Sequence, residues 1–399
     1  MFENVGCRRA CFQITIVPER RILLVAPESP FDSASGAQQR TRLVYDALRR
    51  IADVDVAILE PAQRVVAQRE GGRPECVVRA AAIDRVTHAR FRADVALTDA
   101  VERALGKPLT CYSAIVGRNL WATTQLVVPK TVALIGDLDD FRYRYSRDSS
   151  LVGRVLIERT RKAVAHAMAR RQLRRMHGVF FASVRDREEN RNVESAVLPN
   201  IPYRIPDIDG FDANGMRVLF VGSLWYRPNQ EALDWFVGKV WPRILQRRPQ
   251  AELRIVGAAS PAVRARWIRA ANVSAPGFVH DLAAEYRAAS IVVAPIQSGG
   301  GSNIKTLEAL AYGRVCVISE FSHQAFADRL HGDRDVLVAD GAELFAAQCI
   351  RALDDPELRA RIARSGRQTV LSAYSVEAFN TVASEFVEHV CSTVHGADR

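Results

Sequence analysis

The chain has 399 residues, 48% hydrophobic and 25% charged, with 55 Lys and Arg against 45 Asp and Glu. This is the composition of a globular protein long enough for two ordinary domains, and no apolar run approaches the roughly 18–20 residues of a membrane-spanning helix. Seven cysteines in no dense framework exclude a disulfide scaffold and fit a reducing compartment.

The first 21 residues hold no signal-peptide core, because Glu19, Arg20 and Arg21 interrupt it, so the expected location is cytoplasmic. Cys7 and Cys11 stand close together, but no second Cys or His pair completes a zinc site. Arg21 to Pro27 reads as a strand by its β-rich apolar run, followed by a loop from Ser29 to Ala37 and a helix over about 38–50. Further strands are expected at 53–59, 113–116, 131–135 and 178–182, with a long helix over about 151–176 ahead of the last. Strands alternating with helices predict an α/β, doubly wound parallel sheet. Three prolines between Leu198 and Asp207, followed by Gly210 and Gly215, mark a linker. Residues 216–375 repeat the alternation, and a last helix runs over about 376–390. The expected organisation is a first domain over 1–205, a linker over 206–215, a second domain over 216–375 and a terminal helical segment over 376–399.

The most informative stretch is Ser298 to Gly313, SGGGSNIKTLEALAYG. It follows the apolar run Ile291 to Ile296, which reads as a buried parallel strand. Gly299, Gly300 and Gly301 let the backbone approach a ligand, and the first-turn N–H groups of the helix after them favour an anion such as a diphosphate. Lys305 and Glu308, three apart, can face one cleft, a cation for phosphate and a carboxylate for ribose hydroxyls. A glycine turn in an ordinary strand–turn–helix unit is the structural alternative.

Four segments in order then resemble the group 1 family of retaining glycosyltransferases. They are Met216–Trp225 with Arg227, Pro228 and Asn229; Val240–Ile244 with Pro249–Gly257; Gly277, Phe278 and Val279; and the glycine–lysine–glutamate stretch. The resemblance implies the GT-B fold, two Rossmann-like doubly wound parallel-sheet domains facing a cleft, with the terminal helix crossing back to the first domain. It implies a nucleoside diphosphate sugar as co-substrate, no resident cofactor and no metal, and transfer of a hexose with retention to a glycan, lipid-linked or other hydroxyl acceptor. In the family's pattern the donor is met by Gly36 and Arg40 of the first loop, by Gly222, Ser223, Arg227 and Asn229, and by the backbone of Gly277, Phe278 and Val279. Gly299, Gly300, Gly301, Ser302, Asn303, Lys305 and Glu308 complete the expected donor site. The sequence departs from the family where a Gly-Arg and a later Lys usually meet the diphosphate: Ser223 and the Arg227-Pro228-Asn229 turn stand there. It departs again at Gly300, where the first of two glutamates is usual, which makes Lys305 the leading phosphate ligand.

Asp137, in the Gly136–Asp140 run at a strand end, is the candidate sugar contact or acceptor base; an N-cap or a salt bridge to Arg142 or Arg144 is its structural alternative. Arg40 reads equally as an exposed helix residue. Among eight histidines, His280 alone falls beside a matched segment.

Residues 1–214 hold 34 Lys and Arg against 26 Asp and Glu, the remainder 21 against 19. The excess gathers in Arg154, Arg159, Arg161, Lys162, Arg170, Arg171, Arg174 and Arg175. A basic helix of this kind suits an anionic membrane surface or an anionic acceptor, or is simply a solvated face. No aromatic–basic interleaving points to nucleic acid. A catalytically degenerate nucleotide-binding subunit and a sugar-nucleotide epimerase, which uses the same fold, are the alternative functions.

Overall fold

The computed structural model describes residues 20–32, 36–62, 66–70, 77–83, 93–139, 164, 167–202, 205–208, 215–299 and 302–396. Cys7, Cys11, Gly300, Gly301, Arg142, Arg144, Gly210 and most of the helix expected over 151–176, with Arg154, Arg159, Arg161 and Lys162, lie outside these residues.

Two sheets carry the fold. The first is eight-stranded, built from β1 (Arg21–Ala26), β2 (Asp53–Ala62), β3 (Val66–Glu70), β4 (Val77–Ile83), β5 (Ala114–Arg118), β6 (Ala133–Leu138), β7 (Gly178–Phe181) and β8 (Ser195–Val197), in the order β3-β4-β2-β1-β5-β6-β7-β8. Its pairings are parallel except β3 on β4. The second has six parallel strands, β9 (Arg217–Val221), β10 (Glu252–Val256), β11 (Val273–Gly277), β12 (Ile291–Ala294), β13 (Cys316–Ser319) and β14 (Leu337–Ala339), in the order β11-β10-β9-β12-β13-β14. Strands such as Ile291–Ala294 are buried throughout because helices cover both faces, which is why they read as continuous apolar runs rather than alternating ones.

Sequence reasoning passed over β3, β4 and β8. Alanine-rich β4 has little intrinsic strand preference, and three-residue β8 is too short for a period to show. The first helix runs Gly36–Leu48, two residues earlier than expected, so Gly36 opens the helix. Arg227, Pro228 and Asn229 form the first turn of the helix Arg227–Trp235 rather than a free turn. Proline fits there because its missing N–H is one that a first turn leaves unbonded anyway.

The terminal helix, Val376–Gly396, buries Phe379, Ala383, Phe386, Val387, Val390 and Cys391. It lies against Gly36–Leu48: Ser384 donates to the Ala47 carbonyl at 3.4 Å, Arg50 pairs with Glu377 at 2.8 Å, and the Phe386 ring sits 4.8 Å from that of Phe180. No helix among the described residues is long and apolar enough to cross a membrane.

Candidate functional site

Both sheets change winding direction at one place, between β1 and β5 in the first and between β9 and β12 in the second. In open parallel sheets the loops leaving the carboxyl ends of strands at such a point diverge and leave a crevice. The segments leaving β1, β5, β9 and β12 are therefore where a ligand would enter, and most of the expected site residues belong to them.

In the second domain β9 delivers Gly222 and Ser223. The Gly222 N–H donates to the Val256 carbonyl at 3.0 Å, and the Gly257 N–H donates to the Gly277 carbonyl at 2.9 Å, so the ends of β9, β10 and β11 are laced together. Gly257 has φ +152°, and a Cβ there would fall 1.8 Å from the Gly222 carbonyl oxygen. A Cβ on Gly222 would stand 2.9 Å from Asn229 Nδ2 and 3.2 Å from Lys305 Cε. That space is taken by the polar pair behind it.

Lys305 lies in the first turn of the helix Ile304–Ala311 and is buried. Its Nζ donates to Asn229 Oδ1 at 2.7 Å and stands 5.0 Å from the centre of the Phe220 ring. Asn229 in turn donates to the Ser223 carbonyl at 2.9 Å. Burial lowers the Lys305 pKa to about 8, against the support of Glu308 one turn on. Glu308 accepts from the Tyr286 hydroxyl at 3.1 Å, and burial raises its pKa although Tyr286 and Lys305 both favour the carboxylate. Tyr286 stacks on Tyr312, ring centres 4.5 Å apart, which fixes its hydroxyl. Burial also lifts the Cys316 thiol beside this group to about 12, so it stays neutral. The helix entrance is anchored too, since Asn303 Nδ2 donates to Ser322 Oγ at 2.9 Å. Lys305 is thus a buried ammonium whose hydrogen-bond partner is neutral, beside the N–H groups that an eight-residue helix leaves unbonded at its start. Such a place has electrostatic room for an anion.

In the first domain the expected residues meet in another way. Asp137 is 0% exposed, at the end of β6. Its Oδ1 accepts from Arg40 Nη2 at 2.6 Å, and its Oδ2 from Arg118 Nη1 at 2.7 Å and Arg40 Nε at 3.1 Å. Arg118 also reaches Thr41 Oγ1 at 3.2 Å and Asp139 at 3.3 Å. Burial disfavours the Arg118 charge, but Asp139 and Asp137 outweigh it and raise its pKa; burial likewise works against the Asp139 carboxylate, and Arg118 and Arg40 overcome it. Nearby Glu28 is raised by burial, with Arg118 opposing. Arg40 is therefore a buried member of this charged cluster rather than an exposed helix residue. Two further N–H groups of Arg40 go to Asn200 Oδ1 at 2.9 Å and the Leu198 carbonyl at 2.8 Å. Asp137 has both oxygens occupied by guanidinium groups, so it is the shared counter-ion of Arg40 and Arg118.

The other expected residues lie as follows. Arg227 is engaged by Glu231 at 2.8 Å. Ser223 is exposed, and Gly299 has φ +125° with Tyr226 Oη 3.3 Å from where a Cβ would be. Gly277 ends β11, Phe278 is 68% exposed with its ring 5.2 Å from that of His280, and Val279 is half-buried. Ser302 Oγ accepts from the Asn200 N–H at 3.0 Å. The structure thus gathers Gly222, Asn229, Lys305 and Glu308 into one group, and puts Arg40 and Asp137 into a second joined to it through Asn200. Sequence reasoning missed Arg118, Asn200 and Tyr286 as members of these groups. A signal existed for Arg118, an arginine closing an apolar strand, and none for Asn200 or Tyr286, whose roles depend on distant partners. Among the described residues no three His, Cys, Asp or Glu side chains are grouped as a metal site requires.

Residues 215–355 match the family model described as glycosyl transferases group 1. Over 163 residues the chain is 26% identical to an uncharacterized 44.6 kDa protein in the cps region of Klebsiella pneumoniae; the match covers 38% of this chain and 42% of that protein. The chain thus spans about two fifths of the length of that relative. Among solved structures, sucrose-phosphate synthase from Thermosynechococcus elongatus aligns with a TM-score of 0.66 at 16% identity, over 94% of this chain and 100% of that one. Anabaena HepE in complex with UDP aligns with a TM-score of 0.61 at 14% identity, over 93% and 100%. These likenesses establish the fold as GT-B, two Rossmann-like domains, as the sequence resemblance implied.

Proposed function

We propose that this protein, whose residues 215–355 are a group 1 glycosyl transferase domain within a GT-B fold, moves a hexose from a nucleoside diphosphate sugar to a glycan or lipid-linked hydroxyl acceptor. The observation that carries the reading is Lys305: a buried ammonium at a helix start, held by an amide oxygen and a ring face, with a carboxylate one turn on. A diphosphate satisfies that cation and the first-turn N–H groups together, and Glu308 is then spaced to accept ribose hydroxyls. The UDP bound to the Anabaena relative and the cps-region location of the Klebsiella relative support a nucleotide-sugar donor and polysaccharide synthesis.

Within this proposal the leaving diphosphate is neutralised by Lys305 and the helix start, without a metal. Asp137 acts as a positioning carboxylate for Arg40 and Arg118 rather than as a base. The acceptor enters from the first domain, and attack on the face the leaving group departs from gives retention. The protein works in the cytoplasm, with the exposed Arg170, Arg171, Arg174 and Arg175 available to an anionic membrane surface or acceptor.

Incubation with UDP-, GDP- and ADP-sugars, with mass-spectrometric detection of transfer or donor hydrolysis, tests the reading; neither reaction and no nucleotide binding with any of them would overturn it. One observation favours a catalytically degenerate binding subunit instead. Arg227, an expected cation, is tied to Glu231, so fewer positive groups face the diphosphate. Tight nucleotide binding without turnover would select that alternative.

A further inference from the structure

We infer that Asn200 is a positioning residue that sets the entrance of the donor-site helix from the first domain, an assignment that rests on the donor reading above. The route is continuous. Asp139 and Asp137 hold Arg118, Asp137 holds Arg40, Arg40 Nη1 grips Asn200 Oδ1 at 2.9 Å, and the Asn200 N–H bonds Ser302 Oγ at 3.0 Å. Ser302 lies two residues ahead of the helix Ile304–Ala311 and Asn303 immediately before it, its side chain bonded to Ser322 rather than to the helix; Ser302 is tied to the crossover between the domains.

The physical need for such a tie follows from the sequence. Three consecutive glycines lose more backbone freedom on ordering than any other residues would, so the N–H groups after them are costly to aim. Two side-chain anchors at Ser302 and Asn303 supply that ordering before a ligand arrives. The Asn200 anchor differs from the Ser322 anchor in its origin. Asn200 is set by Arg40 on the first helix, and Arg40 by the carboxylate at the end of β6. The aim of the helix start in the second domain is therefore conditional on the charged cluster of the first. A shift between the domains moves Ser302.

The probe is UDP, titrated by calorimetry, with amide exchange followed at Asn200. Ser302→Ala removes the acceptor and Asn200→Ala removes the grip of Arg40 while keeping the backbone N–H. Each should weaken UDP binding roughly three- to tenfold, the range of one lost hydrogen bond. Because both act on one route, the double variant should be little worse than the weaker single. Ser302→Thr, which keeps the hydroxyl, should restore most of the affinity. Amide exchange at Asn200 should quicken in Ser302→Ala, and also in Arg40→Lys, where a lysine cannot hold Asp137 and Asn200 together. Unchanged UDP affinity in both single variants, or losses that multiply in the double, would overturn the assignment. Should the unaltered protein bind neither UDP nor another nucleoside diphosphate, the donor reading fails. The exchange measurement then still decides the tie, quicker exchange in Arg40→Lys upholding it and unchanged exchange refuting it.

Discussion

At the scale of single residues, Lys305 and Glu308 have shifts of opposite consequence for a bound diphosphate. Burial brings the Lys305 pKa down from 10.5 to about 8, so its charge is lost as pH rises through that value. Glu308 is raised above its usual 4.5, so its carboxylate is lost as pH falls through the raised value. Affinity for UDP should therefore pass through a maximum near neutrality, decline above pH 8, and be accompanied there by proton uptake, measurable by calorimetry in buffers of different ionisation heat. A flat alkaline limb would remove Lys305 from the phosphate site. For folding the sign is reversed. A lysine whose pKa is lowered on folding penalises the native state where it is charged, so this group's contribution improves between about pH 8 and the unfolded value. Lys305→Met should accordingly cost UDP affinity about ten- to a hundredfold, the worth of a charge-assisted bond, without lowering the melting temperature. Tyr286→Phe removes a donor that favours ionised Glu308, so the acid limb of the affinity profile should move to higher pH; an unmoved limb would show that Tyr286 does not tune it.

At the scale of elements, two kinds of contact hold the site in shape. Where β9 and β10 end, backbone meets backbone: Gly257→Ala would drive a Cβ into the Gly222 carbonyl at a positive φ, and neither side is a flexible side chain. The expected result is a loss of about 2–4 kcal/mol, read as a lower urea midpoint with an unchanged slope. Where β6 ends, charge meets charge. Asp137→Asn would leave Arg40 and Arg118 buried with half their compensation gone, costing about 3–5 kcal/mol. If Asp137 were instead a solvated catalytic base, the same change would abolish turnover and leave the urea midpoint in place. Both sites show why boundaries read from the chain were good to a few residues while roles were not. Gly222 and Gly257 were visible as glycines after apolar runs. That they face each other depends on β9 and β10 being adjacent and in register. Arg40 was visible as a cation in the right loop, but the same helix that places it near the cleft turns it toward β6.

At the scale of the whole molecule, the last helix belongs by packing to the first domain, and the crossover at 198–202 carries the Arg40–Asn200 route. A cavity of about 290 Å³ lies at this junction, lined from one side by Leu198, Pro199 and Phe379 and from the other by Ala325 and Tyr374. Helix Val376–Gly396 buries Phe379, Phe386, Val387 and Val390, which at about 1.5–3 kcal/mol each rivals the 5–15 kcal/mol by which domains are usually stable. Ending the chain at Ser375 should leave a first domain without cooperative thermal unfolding; a sharp transition at the original temperature would show the helix to be dispensable.

The sequence by itself determined the class of fold. Apolar strands at regular spacing, turn residues between them and a glycine-rich strand-to-helix stretch are local properties, and each is written in a few consecutive residues. It also determined that a lysine and a glutamate share one helical face, because that follows from the helical repeat alone. Only the tertiary structure decided what those side chains touch. That Arg40 lies against a carboxylate, and that Asp137 is flanked by two guanidinium groups, depended on Arg118, Leu198 and Asn200 being brought beside them. Whether Lys305 is solvated or buried depended on Phe220 and Asn229. These partners are brought together by sheet order and domain packing, and the free energy of a buried charge depends on what surrounds it in space, not on what adjoins it in the chain.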